Sequence, residues 1–150
     1  MATDRMNAVQ DKLKTDLDAT SAITTVFKLI ADGFPMLSDP LEWKVYEHEL
    51  PALFFEVYAC DDVVPSSTQL EPIYERQFGI IFIIHSEATF YEIKERLKEG
   101  VSQLRDWLHS DSWTYKEWTM LDRSGFDIDA GGRGFVGVAS IPFSVDIKPG

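Results

Sequence analysis

The sequence predicts an α+β fold, a mainly antiparallel β-sheet with an N-terminal helix and one long helix packed on one face. Two segments repeat apolar residues at steps of three and four, which marks a helix with one buried stripe. Around them lie short runs rich in β-branched and aromatic residues, bounded by Pro and Gly. The order reads helix, three strands, helix, two strands, which suits helices gathered on one face of a sheet.

The first helix is read from Met6, Val9, Leu13 and Leu17, with Asp11, Lys12, Lys14, Asp16 and Asp18 on the faces between. Ala19-Thr20-Ser21 breaks the pattern, and Ile23-Thr24-Thr25-Val26-Phe27 reads as a first strand. Continuation of the helix through Ile30 is the rival reading, because Ile23, Val26, Phe27 and Ile30 also share a helical face. Gly33, Pro35 and Pro40 punctuate a loop. Leu53 to Tyr58 is a strand whose entrance, Glu49-Leu50-Pro51-Ala52, places proline where a strand tolerates it.

Asp61 to Pro72 is expected to be a polar loop. Arg76 to Ile84 is a strand, and its continuous apolar run predicts cover on both faces. Ser86 to His109 is the long helix, opened by the capping pair Thr89 and Glu92. Its stripe is Phe90, Ile93, Leu97, Val101, Leu104 and Leu108. Trp113 to Met120 is a strand candidate, and Asp122 to Gly134 a polar, Gly-rich loop. The last strand, Phe135 to Ile147, alternates apolar and polar residues from Ile141, and Pro142 marks an edge or a bulge.

A chain of 150 residues with 45% hydrophobic content suits one domain, 1–150, and buries roughly 70% of its unfolded surface. The net charge of −11 disfavours grasping of nucleic-acid phosphates and docking on anionic lipid. It leaves open a wall past which DNA slides, because like charge gives phosphate little to hold. One cysteine, Cys60, permits no intrachain disulfide and fits a product of the cytosol. The N-terminus has no apolar signal core, and the apolar run at Ile80 to Ile84 is too short to span a membrane.

The chemistry-bearing residues form no catalytic or cofactor motif. His48, His85 and His109 lack ligand spacing, so no metal is expected, and they read as polar residues near element ends. Cys60 stands beside Asp61 and Asp62, which work against a thiolate. Gly131-Gly132-Arg133-Gly134 leads into a strand, whereas phosphate and dinucleotide loops lead into a helix. No enzymatic activity and no cofactor are expected. The candidate interface residues are Asp61 and Asp62 in the acidic loop, and Arg133 at the tip of the Gly-rich loop facing an acidic neighbour.

The order of elements, with Glu49-Leu50-Pro51-Ala52-Leu53 entering an apolar strand, a long helix and a closing strand pair, resembles the tail terminator and tail-completion proteins of long-tailed bacteriophages. The resemblance spans nearly the whole chain. It implies a homo-oligomeric ring, usually a hexamer, on the end of the tail tube. Such a ring stops tube polymerisation and meets a head-completion or connector protein, and DNA passes its bore without specific binding. It implies a place in the virion at the head–tail junction, after synthesis in the host bacterial cytoplasm, with no membrane contact. The family has no catalytic motif, so no site residue carries over. The alternative reading is an acidic binding module, an inhibitor or assembly chaperone, that covers a basic partner.

Overall fold

The computed structural model describes residues 5–34, 40–43, 49–63, 74–115, 118–121, 124–131 and 134–147. Helices α1 (Arg5–Asp18) and α2 (Ser21–Thr24) lead into β1 (Leu29–Asp32). A 3-10 turn (Pro40–Glu42), β2 (Ala52–Val63), β3 (Tyr74–Glu87) and α3 (Phe90–His109) follow. Strands β4 (Trp118–Met120), β5 (Gly125–Gly131) and β6 (Gly134–Ile147) end the order. The strands form one six-stranded sheet in the order β1-β2-β3-β6-β4, with β5 also paired to β6. Only β1 pairs in parallel, so the fold is the α+β, mainly antiparallel arrangement read from the sequence.

Alternation along β3 explains its continuous apolar run. Ile81 and Ile83 point into the main core with Leu13, Leu17, Leu97 and Leu104 from the helices. Phe82 and Ile84 point to the other face, into a smaller cluster around Trp43 and Phe54. Trp43 meets Phe54 and Phe82 edge-on at 5.2 and 5.7 Å between centroids, a favoured aromatic arrangement. Both faces of β3 are therefore covered, and α1 and α3 lie on one of them.

Five local expectations are corrected. Ile23 to Phe27 is a helical turn, not a strand: the Phe27 N–H bonds the Ile23 carbonyl at 2.9 Å, and both side chains are buried. Burial at a four-residue spacing overrides β propensity here. The helix also stops short of Ile30, because the Lys28 N–H is taken by the Pro51 carbonyl at 2.9 Å and the chain enters the sheet. Asp61 and Asp62 lie in β2, opposite Arg76 and Glu75 of β3, so they belong to a strand and not to the expected loop, of which residues 64–72 lie outside the described residues. The long helix begins at Phe90 rather than Ser86, because β3 runs on to Glu87, and Thr89 then caps it by accepting from the Glu92 N–H.

The aromatic strand is likewise only Trp118–Met120, since Trp113 is fully buried in the main core ahead of it. Within the expected Gly-rich loop lies the seven-residue strand β5. Pro142 sits inside β6, where the partner on one side changes from β5, ending at Ser140, to β4, starting at Phe143. Its carbonyl accepts from the Leu121 N–H on that same side. The missing N–H thus faces the gap between two partners, and the ladder to β3 loses nothing.

Candidate assembly surfaces

Of the sequence-predicted interface residues, Asp61 and Asp62 are neighbours near one end of β2. Asp61 is exposed near one end of β2, where Arg76 lies opposite it in β3. Arg76 turns to the other neighbouring strand and makes a bidentate pair with Asp146, at 2.7 and 3.0 Å, which raises the guanidinium pKa. Asp61 makes no ion pair among the described residues. Asp62 is next in the strand, and Arg133 lies outside the described residues.

Among the described residues, no group of three or more His, Cys, Asp or Glu could hold a metal. His109 packs its ring on Trp118 at 4.8 Å, in the last turn of α3. Cys60 is exposed. Trp107 and Trp113 pack together at 5.4 Å, and the Trp107 indole donates to the Thr20 hydroxyl at 2.9 Å. These two rings therefore fix α3 against the N-terminal helices. No helix among the described residues is long and apolar enough to cross a membrane.

The surface features that sequence reading missed are apolar. The exposed large side chains are Tyr91 (69%), Tyr58 (53%), Phe90 (49%), Leu121 (43%) and Phe126 (37%). Four of the five lie on the β5 side. Phe90 rests against Phe135 at 5.7 Å, with the Lys94 ammonium over its ring. Strand β5 pairs only with β6, so its outer edge is free among the described residues. Along that edge Phe126 and Ile128 share a face with Ala139 and Gly137, and Asp127 and Asp129 share the opposite face. Apolar patches and free strand edges are places where another chain binds.

The opposite side of the sheet carries a groove of about 380 Å³ between α3 and the entrances of β1 and β2. Phe27, Leu50, Pro51 and Ile83 supply apolar walls, and Lys28, His85, Arg96, Glu99 and Gln103 the polar ones. Burial lowers the His85 pKa below its ordinary value, Glu87 opposes this, and Arg96 and Lys28 add to it. The ring pairs through Nε2 with Glu87 at 2.8 Å, and its buried Nδ1 has no partner among the described residues. Arg96 bonds Glu99 at 3.0 Å, whereas Lys28 makes no ion pair among the described residues. A second groove, about 360 Å³, lies farther along α3 beside Ile23 and Trp107.

No family model and no curated protein sequence matches the chain. Its fold is similar to that of a solved chain from the virion of a native gene transfer agent particle, with a TM-score of 0.55. The match covers 98% of this chain and 100% of that one at 12% identity. At that identity the likeness is one of fold.

Proposed function

We propose that this chain is a structural protein of a phage or phage-derived particle, and that it closes the end of the tail tube as a ring. In this reading the ring, six copies in the usual case, ends tube polymerisation and offers a head-completion or connector protein its docking surface. DNA passes the bore without specific binding, and no catalysis is involved. The observation that carries the reading is the end-to-end fold likeness to a chain of a gene transfer agent virion. The acidic balance of −11 agrees with a bore that does not retain DNA. The β5 edge, free among the described residues, and its exposed Phe126 supply surface for assembly.

The test is negative-stain imaging of the purified protein with and without tail tubes. Rings on tube ends, with tube length fixed by added protein, are expected. A protein that stays monomeric and leaves tube growth unchanged overturns the reading. The second reading, an acidic module covering a basic partner, draws on the exposed carboxylates Asp61, Asp127 and Asp129, which make no ion pair among the described residues. It takes over if the protein binds a basic partner one to one and never self-associates.

A further inference from the structure

A closed ring needs two different surfaces on each copy that complement one another, because its contacts are head to tail. The sheet places two such surfaces at opposite ends of its strand order. On the β5 side, the free edge presents exposed Phe126 and half-buried Ile128 on one face, and exposed Asp127 and Asp129 on the other. On the β1 side, the groove offers apolar walls at Phe27, Leu50 and Ile83, with Lys28 at its rim. The edge is acidic and aromatic, and the groove is apolar with Lys28 at its rim beside the mutually paired Arg96 and Glu99.

The charges on both surfaces are available. Asp127, Asp129 and Lys28 are all exposed and make no ion pair among the described residues. Five described cations are already engaged: Lys12 with Asp16, Lys14 with Asp18, Arg76 with Asp146, Arg96 with Glu99 and Lys98 with Glu95. On a chain at −11, an unpaired lysine beside an apolar groove is where a second acidic copy meets least repulsion. The strand directions also agree. Strand β5 runs opposite to β6, β6 to β3 and β3 to β2, while β1 runs with β2. Within one copy β5 and β1 are therefore antiparallel, so an edge carried round a ring arrives at the next β1 in the commoner pairing sense.

We infer that the β5 edge of one copy docks in the β1-side groove of the next, with Phe126 against the apolar walls and Asp127 and Asp129 against Lys28. The inference rests on the ring reading and names its contact. The Lys28–Asp127 pair sets orientation and partner choice, and burial of Phe126 supplies the anchoring area.

Two measurements test it on the full chain. In a Cys60→Ser background, Lys28→Cys and Asp127→Cys are combined and mildly oxidised at high protein concentration. The expected result is a ladder of trimers and larger species, whereas each single-cysteine variant stops at dimers. Sedimentation of charge variants guards against misfolding. Lys28→Asp or Asp127→Lys alone should weaken self-association on the order of tenfold, and the double reversal should restore it. Rings seen by imaging without a ladder or rescue overturn this contact and leave the ring reading standing. Absence of any oligomer, on tubes or in solution, overturns both.

Discussion

At the scale of single residues, Leu104 and Lys98 on α3 decide whether the helix face is read correctly. Leu104 is fully buried in the main core, and Lys98 is exposed, 3.7 Å from Glu95. Leu104→Ala should cost about 2–5 kcal/mol in urea unfolding, and Lys98→Ala should stay within about 0.5 kcal/mol. Equal losses would place the stripe elsewhere. Such positions were legible because a three-and-four repeat fixes a face before any fold is known. His85 was legible only as a polar residue near a strand end. It sits half-buried in the groove with Phe27, Ile83 and Gly100, which no local pattern brings together. That burial has a consequence for pH. Above the ordinary value of 6.5 the ring is neutral in both states, and folding bears no charge penalty. As pH falls below 6.5 the unfolded chain takes the proton first, so stability is lost until the folded pKa is passed. Denaturant midpoints at two pH values, one above and one well below 6.5, should fall further for wild type than for His85→Gln. Equal falls would remove His85 as the cause.

At the scale of elements, the approach of α3 to β6 depends on a missing side chain. A Cβ at Gly137 would lie 2.5 Å from Leu97 Cδ1 and 2.9 Å from Ile93 Cγ1, both anchored in the core. A Cβ at Gly125, where β5 begins, would meet nothing within 4 Å. Gly137→Ala should therefore lift the helix and cost about 1–3 kcal/mol, whereas Gly125→Ala should change stability by no more than about 0.5 kcal/mol. Thermal melts of both variants check this, and a neutral Gly137→Ala would mean that α3 does not sit so close. Helices α1 and α3 and strands β2, β3 and β6 could be read from the sequence, since each is long enough to repeat its period, whereas the four residues of α2 are too few. Strand β5 escaped because its flanking glycines and acids read as loop. The alternation Phe126-Asp127-Ile128-Asp129 was the signal that could have found it. Short β1 and β4 carried too few residues to show a period, and their pairing partners are distant in sequence. The proposed contact was illegible for the same reason: one half lies on a missed strand, and the other joins residues from the start and the middle of the chain.

At the scale of the whole molecule, the charge of −11 opposes every contact between copies, and closing a ring gathers that charge around one axis. The proposed pairing of Lys28 with Asp127 acts over a few ångströms, whereas the repulsion acts over the whole protomer. Salt separates the two. The screening length falls from about 30 Å at 0.01 M to about 10 Å at 0.1 M, which removes protomer-scale repulsion while a close, partly buried pair keeps most of its attraction. Burial of Phe126 in the groove is apolar and is not weakened by that change. Self-association should therefore strengthen as salt rises from about 0.01 M to about 0.1 M, the reverse of an assembly held mainly by surface ion pairs. Asp61→Asn, which removes one unpaired charge outside the proposed contact, should shift the onset to lower salt without changing the size of the particle. Light scattering across the salt series, on wild type and on this variant, reads both effects. Association that weakens steadily with salt would mean that attraction between unlike surface charges, rather than apolar burial against a repulsive background, holds the copies together.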